Sequence, residues 1–171
     1  MKRKKMILLI TTVIMGLTAG IFYCWSVSVT PGLALLSDKE YITTFQQLNK
    51  AIQNPLFFTC FMGTMFLLPL STWVHYQKPL PLSFWLLLAA SIIYFVGVMG
   101  VTMGANVPMN NEMDVFNTAT ATIAELSAKR IAFEAKWNFL NNIRTISCIL
   151  CLTLTVLACI TGSNSKELRL N

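Results

Sequence analysis

Four long stretches of this chain carry almost no charge, and they limit its fold more than any other feature. No charged residue occurs from Met6 to Ser37, and the other three stretches contain a single one, Arg144. About 20 apolar residues suffice to cross a bilayer as a helix, because a helix satisfies its own backbone polar groups. The sequence therefore predicts membrane spans at about residues 6–29, 56–74, 82–105 and 143–160.

The composition agrees with burial in lipid. Hydrophobic residues make up 55% of the 171 residues and charged residues only 12%, about half the share usual in a soluble domain. The length fits one domain. We therefore predict an all-α fold, an integral membrane four-helix bundle with helical extracytoplasmic loops. It forms a single four-span domain over residues 1–171, with the lipid bilayer as its partner.

The basic cluster at residues 2–5 sets the expected orientation. A basic run can bind nucleic acid, but this one directly precedes an apolar run, which favours a role in membrane topology. We predict no nucleic-acid partner, a place in the cell inner (cytoplasmic) membrane, and both termini in the cytoplasm. A cleaved signal peptide is the alternative, although the apolar run exceeds the usual signal core of about 7–15 residues.

Two polar stretches then lie outside the membrane. Ser37 and Glu40 form a capping-box pattern, which indicates the start of a helix. An apolar stripe follows it at helical spacing: Tyr41, Phe45, Leu48 and Ile52. Asn49 is expected on the polar side of this amphipathic helix. In the second polar stretch we predict helix from roughly Ala119 onward, continuous with the last span.

Several polar side chains are expected at the ends of the spans that carry these loops. Asn106 and Asn110 are four residues apart and share a side of a helical turn. Trp137, Asn141 and Arg144 are spaced by four and three, so they lie on one face of the last helix, and Glu134 precedes them on the same stripe. An arginine at this depth needs to reach the interface or find a partner.

Two interpretations of this polar group stay open. In the first, the residues surround one pocket: asparagines donate and accept, Arg144 offers a fixed cation to an enolate, phenolate or carboxylate, and Trp137 forms a wall for a flat ligand. In the second, they only cap helix ends and hold the loops to the bundle. The first-span aromatics Phe22, Tyr23 and Trp25 are expected to be packing residues or interface anchors.

Cysteine and histidine give weaker signals. Cys148 and Cys151 form a C-x-x-C pair in the last span, which can cycle between dithiol and disulfide. Cysteine is also an ordinary small apolar residue of buried helices. No spacing of cysteine and histidine is typical of zinc. We predict no metal site and no cofactor.

The chain resembles a known family through motifs in a fixed order. They are GIFY at 20–23 with TPGL at 30–33, LNKAI at 48–52 before Pro55, NVPMN at 106–110 and NNIRT at 141–145. These resemble a bacterial membrane family of unknown function that is grouped with the fungal anthrone oxygenases. The resemblance implies a four-span bundle. For the fungal members it also implies oxidation of an anthrone to an anthraquinone by dioxygen, with no obvious metal or flavin site.

Two positions depart from the family pattern. Leu140 stands where the family often has tryptophan, and Asn142 stands where it often has histidine. If that histidine is the catalytic base, this chain lacks it. The candidate catalytic residues are Arg144, Asn141 and Asn110, and the candidate substrate-binding residues are Asn106, Trp137 and Asn49.

Three functions follow from these patterns. The first is a cofactor-independent oxygenase or oxidase acting on a small, flat phenolic or quinone-like substrate. The second is a non-catalytic membrane protein that binds a ligand or assists assembly. The third is a thiol–quinone redox protein that uses Cys148 and Cys151. The sequence does not indicate an oligomeric state.

Overall fold

The computed structural model describes residues 2–164, and that part of the chain is helical without any strand. The polar tail at 166–169 lies outside the described residues. The α-helices are Lys2–Cys24, Thr30–Ala34, Asp38–Ile52, Pro55–Val74, Leu82–Ile93, Val107–Asp114 and Ile123–Asn164, and wider π-helical turns occupy Trp25–Val29, Tyr94–Gly100 and Thr102–Asn106.

Four of these helical stretches are long and apolar enough to cross a membrane. We call them span 1 (Arg3–Ala34), span 2 (Pro55–Val74), span 3 (Leu82–Asp114) and span 4 (Ile123–Thr161). The all-α prediction is confirmed, and the four apolar helices indicate a multi-pass membrane protein. Spans 1 and 3 are longer than expected because their helices continue through the π turns to Ala34 and Asp114.

The four spans pack in a ring. Span 1 contacts spans 2 and 4, and span 3 also contacts spans 2 and 4. The centre is filled by buried side chains from all four helices, including Met15, Leu68, Tyr94 and Cys148. Span 1 therefore contributes side chains to the core of the bundle and contacts two of the other spans.

The loop helix Asp38–Ile52 packs against span 4 and the end of span 3 at one end of the bundle, which we call the loop end. The predicted capping box is confirmed between Ser37 and Glu40. The Ser37 hydroxyl and the Ser37 backbone N–H both donate to the Glu40 carboxylate, and these hydrogen bonds lower the pKa of that carboxyl. The placement of Asn49 on the polar side was wrong. Asn49 is 5% exposed because it follows Tyr41 and Phe45 at four-residue spacing on the packed face.

Span 4 begins at Ile123 and not at Ala119. A second capping box fixes this start: the Thr122 backbone N–H donates to Glu125 Oε2 at 2.7 Å, and the Glu125 N–H donates to Thr122 Oγ1 at 3.3 Å. From there the helix runs without a break to Asn164. The prediction of one helix continuous with the last span is confirmed.

Arg130 joins span 4 to the start of the loop helix. Its guanidinium donates to the backbone oxygens of Leu36 at 2.7 Å and Ala34 at 3.0 Å, and to Asp38 Oδ1 at 3.1 Å. Its Nε donates to Glu134 Oε2 at 2.7 Å. Glu134 was expected to face the same way as Trp137, but this ion pair directs it to Arg130 instead.

Candidate functional site

A cavity of about 320 Å³ lies at the loop end, between the spans and the loop helix. This volume is within the range of small-molecule sites. Five of the six candidate residues line it: Asn49, Asn110, Trp137, Asn141 and Arg144. The other polar lining residues are Gln53, Thr102 and Asn111, and the aromatic ones besides Trp137 are Phe22, Trp25, Phe45, Phe57, Phe58 and Phe61.

Asn106 is the candidate that does not line the cavity. It is fully buried at the end of the π turn Thr102–Asn106. Neither its Oδ1 nor its Nδ2 has a hydrogen-bond partner among residues 2–164. Its place in the core gives it no direct access to a ligand in the cavity, so its predicted role in substrate binding is not supported by this geometry.

Arg144 is a buried cation without a counter-ion. It is 6% exposed, and it forms no ion pair within the described part of the chain. Its Nη2 donates to Asn141 Oδ1 at 2.9 Å, its Nη1 contacts Thr102 Oγ1 at 3.5 Å, and its Nε has no partner among residues 2–164.

Aromatic rings replace the missing carboxylate. The Arg144 guanidinium carbon lies 4.8 Å from the ring centre of Phe22 and 5.4 Å from that of Trp137. Cation–π contacts stabilise such a charge by about 2 kcal/mol when water is excluded. That is less than the cost of taking a charge out of water. The arrangement therefore leaves a positive charge able to attract an anion.

Hydroxyl groups hold Asn141 in one orientation. Asn141 Nδ2 donates to Ser26 Oγ at 2.9 Å, and Ser26 Oγ lies 2.8 Å from Thr145 Oγ1. Because Ser26 accepts from the amide nitrogen, the amide oxygen of Asn141 is turned towards Arg144. Sequence reasoning missed Ser26 and Thr102, because hydroxyl residues within apolar runs carry no distinguishing pattern.

A chain of hydrogen bonds, all donated in one direction, connects the cavity-lining residue Trp137 to Asp114. Trp137 Nε1 donates to Asn110 Oδ1 at 2.7 Å, Asn110 Nδ2 donates to Asn49 Oδ1 at 2.9 Å, and Asn49 Nδ2 donates to Asp114 Oδ2 at 2.6 Å. An ionised carboxylate can only accept, so Asp114 sets the direction of every bond in the chain. Sequence reasoning missed Asp114, which lies four residues after Asn110.

Two first-span aromatics belong to the cavity wall and not only to the packing. Phe22 and Trp25 both line the cavity. The Trp25 ring lies 5.2 Å from that of Trp137. Tyr23 is 53% exposed and points outward, as expected of an interface residue. Span 1 therefore supplies both an outer anchor and an inner wall.

The two departures from the family pattern do not face the cavity. Neither Leu140 nor Asn142 lines it, and Asn142 is exposed. Asn142 follows Asn141 by one residue, which turns its side chain by about 100° around the helix. A histidine at this position would point away from a ligand bound beside Arg144.

The cysteine pair is also separate from the cavity. Cys148 and Cys151 are fully buried in the bundle core, and neither lines the cavity. The Cys151 thiol donates to the backbone oxygen of Ala90 at 3.2 Å. This geometry matches the packing interpretation of the pair and gives no support to thiol–quinone exchange in the cavity.

The fold and the cavity define a class: a helical membrane protein with four apolar spans and an aromatic cavity around a guanidinium that forms no ion pair with any described residue. A family model described as anthrone oxygenase matches residues 56–154, more than half of the chain. The protein therefore belongs to the anthrone oxygenase family, as its motifs indicated. No curated protein and no solved structure matches it.

Proposed function

We propose that this protein is a cofactor-independent membrane oxygenase that oxidises a flat, ionisable aromatic substrate such as an anthrone to the quinone. One observation carries the proposal: the cation of Arg144 faces an aromatic cavity, and no carboxylate in the described part of the chain pairs with it. An anionic, flat ligand fits this combination, because it pairs with the guanidinium and stacks on the rings.

The chemistry starts from the enolate of the substrate. When an anthrone loses a proton from the ring carbon opposite its oxygen, negative charge collects on that oxygen. Arg144 stabilises this charge, which raises the fraction of the electron-rich form that reacts with dioxygen. Asn110 accepts from Trp137 and Asn141 accepts from Arg144, so both amides are already oriented and can position the substrate without rearranging.

The remaining steps balance without a further reagent. Dioxygen takes an electron pair from the enolate carbon, and a carbon–oxygen bond forms. Protonation of the terminal oxygen gives a hydroperoxide. Loss of the second proton from that carbon breaks the oxygen–oxygen bond and releases water. One anthrone and one dioxygen thus give one quinone and one water, so no external reductant is needed.

A ligand-binding protein without turnover is the second candidate. It is favoured by the absence of any carboxylate or imidazole from the residues that line the cavity. The site stabilises an anion, but it offers no side chain with the basicity to remove the substrate proton. In the oxygenase, that proton leaves to water at the open side of the cavity.

The orientation in the membrane belongs to the proposal as well. We place the protein in the inner membrane with both termini in the cytoplasm, so that the loop end and its cavity face the opposite side. The N-terminal basic cluster supports this orientation, because basic residues in a short segment directly before the first span tend to stay in the cytoplasm.

The test is turnover by the lipid-reconstituted protein with 1,8-dihydroxyanthrone, followed by oxygen consumption and quinone absorbance. Protein-free vesicles correct for oxidation in air. Arg144→Gln is expected to lower kcat by about a hundredfold or more, the loss typical of removing an anion-stabilising donor. Asn142→Gln, on the same helix but exposed, serves as the matched control.

The outcomes separate the two candidates. Full turnover by Arg144→Gln would contradict the oxygenase proposal. Binding of a hydroxyanthraquinone that requires Arg144, without any turnover by the unsubstituted protein, would instead establish the ligand-binding function.

A further inference from the structure

The cavity has an open side between two segments of the chain. One segment is the end of the loop helix with the start of span 2, and the other is the last part of span 3. Each contributes exposed side chains to the lining: Gln53 and Phe58 on one side, Met103 and Asn111 on the other. Because these residues are both exposed and part of the lining, the cavity reaches the molecular surface here.

This opening exists because spans 2 and 3 separate. They pack together as far as Tyr94, whose hydroxyl donates to the backbone oxygen of Phe61 at 2.7 Å. Beyond Tyr94, span 3 passes through its two π-helical turns and packs mainly against span 4. The gap left beside span 2 is where the cavity opens.

The edge of the opening changes from polar to apolar along its length. Gln53 precedes the apolar stretch 56–74, and Asn111 follows the apolar stretch 82–105, so both lie at the water side. Phe58 and Met103 lie inside those apolar stretches, and they are 45% and 61% exposed on the outside of the bundle. From Asn111 to Met103 the helix covers about 12 Å towards the middle of the membrane.

We propose that the substrate enters sideways from the lipid, past Met103 and Phe58, and is therefore a bilayer-dissolved aromatic amphiphile with an acidic phenol or enol group. This rests on the proposed function and names its substrate class. The ring system of such a molecule lies among acyl chains and its acidic oxygen lies at the interface. That orientation matches an opening with one apolar and one polar edge, and a cation behind it.

The lateral route also explains how a cavity with a buried cation attracts a hydrophobic molecule. A neutral phenol or enol partitions into the bilayer and diffuses along it, whereas its anion does not enter the hydrocarbon region. The charge forms only when the acidic oxygen reaches Arg144. The substrate crosses the apolar edge as a neutral molecule and is held inside as an anion.

The experiment uses three tyrosine substitutions in span 3 of the lipid-reconstituted full chain. Met103→Tyr narrows the opening at its apolar edge, and Asn111→Tyr narrows the opening at its polar edge. Ile92→Tyr places a tyrosine at a lipid-facing position away from the cavity and serves as the control. Trp73→Phe and Trp85→Phe leave Trp25 and Trp137, both in the cavity wall, as the only tryptophans.

The measured quantity is the association rate of 1-hydroxyanthraquinone, followed in a stopped-flow instrument as quenching of the two remaining tryptophans. This probe is already a quinone, so the proposed reaction does not consume it. Met103→Tyr is expected to slow association by about tenfold, because narrowing a route lowers the rate of capture. Ile92→Tyr should behave as the parent protein does, and Asn111→Tyr should have a smaller effect than Met103→Tyr.

Other results would overturn the lateral route. Slowing by Asn111→Tyr that equals or exceeds that by Met103→Tyr would show access from water. An equal rate in Met103→Tyr and Ile92→Tyr, or no quenching in the parent protein, would also exclude it. The probe is not turned over, so its binding does not depend on catalysis. If the probe binds through the apolar edge but no anthrone is oxidised, the lateral route is supported and only the oxygenase proposal is contradicted.

Discussion

At the scale of single residues, Arg144 and Asp114 have different roles at the cavity. Arg144 provides a charge that no side chain among residues 2–164 neutralises, and Asp114 provides an acceptor that sets three amide and indole bonds in one direction. No direct hydrogen bond joins the two groups in the described structure, but Trp137 links them, because its ring lies 5.4 Å from the Arg144 guanidinium and its indole N–H donates to Asn110.

We expect Asp114→Asn to weaken the ordering of the amide chain, because an amide can both donate and accept and so permits Asn49 to turn over. Loss of the charged acceptor costs about 1–3 kcal/mol at a buried donor. The joint emission of Trp25 and Trp137, measured with Trp73 and Trp85 replaced by phenylalanine, should shift as the Trp137 indole N–H loses its fixed partner.

Glu112→Gln is the control for Asp114→Asn, because Glu112 is an exposed carboxylate on the same short helix. An unchanged emission spectrum in Asp114→Asn, with binding of 1-hydroxyanthraquinone also unchanged, would show that Asp114 does not orient the chain.

Asn142→His restores the residue that the family often has after the asparagine. Its side chain is exposed and outside the cavity lining, so turnover of 1,8-dihydroxyanthrone is expected to stay within about twofold of the parent value. A large gain in kcat, with a new dependence on pH near the pKa of histidine, would show that position 142 does reach the substrate.

The sequence predicted the residues of one helix better than those of separate helices. Trp137, Asn141 and Arg144 were placed together correctly because α-helical spacing alone determines their common face. Asn49 was placed on the wrong side because its polar side chain suggested exposure, although it follows Tyr41 and Phe45 at helical spacing; the partners that satisfy it when buried, Asn110 and Asp114, lie on another helix. Phe22 and Trp25 could not be told from packing residues, because an apolar wall of a cavity has the same composition as a core.

At the scale of helices, two contacts position the site: the Arg130 cluster at the loop end and the close approach of spans 3 and 4. Arg130 lies over the ring of Tyr41 at 4.6 Å as well as binding Asp38 and Glu134. Burial raises the pKa of the Tyr41 phenol, so this ring stays neutral at any physiological pH. The loop helix is therefore held by one cation and one neutral ring.

Arg130→Met is expected to lower the free energy of unfolding by about 2 kcal/mol, because charged hydrogen bonds to Asp38 and to the backbone of Leu36 are lost. Thermal unfolding in detergent gives the magnitude. Lys136→Met, an exposed change on the same helix, should have almost no effect. Equal stability of the two variants would mean that Arg130 does not anchor the loop helix.

Gly97→Ala is expected to force spans 3 and 4 apart. A Cβ at this position would lie 2.9 Å from the Cβ of Ser147 and would collide with its hydroxyl oxygen. Overpacking of this kind costs about 1–3 kcal/mol. Gly104→Ala, where nothing lies within 4 Å of an added Cβ, is the control, and adding Ser147→Gly to Gly97→Ala should restore the melting temperature.

Helix limits were only partly predictable. The capping box of Ser37 and Glu40 was recognised from the sequence, whereas the equivalent pair of Thr122 and Glu125 was not, and span 4 was started four residues too early. The continuation of span 1 to Ala34 and of span 3 to Asp114 was also missed. Hydropathy marks where lipid ends, but a helix ends where its backbone loses partners.

At the scale of the whole molecule, the proposed orientation places the cavity opposite the cytoplasm. Ala119→Cys, in the second polar stretch, is expected to react with a membrane-impermeant maleimide in intact cells. Lys78→Cys, in the short turn between spans 2 and 3, should react only after the membrane is opened. The reverse labelling pattern would show that the protein has the opposite orientation in the membrane. The unsubstituted chain, whose cysteines all lie within the spans, is the background control.

The π-helical turns of span 3 give the site a dependence on chain length. A π-helical turn holds one residue more than an α-helical turn. Each such turn therefore changes the direction of every later side chain by about 100° around the helix axis. Asn110 and Asn111 follow both turns, Tyr94–Gly100 and Thr102–Asn106. Deleting one residue there would leave a perfectly apolar membrane helix that points the wrong side chains at the ligand. Descendants of this chain can therefore exchange residues in span 3 far more freely than they can gain or lose one.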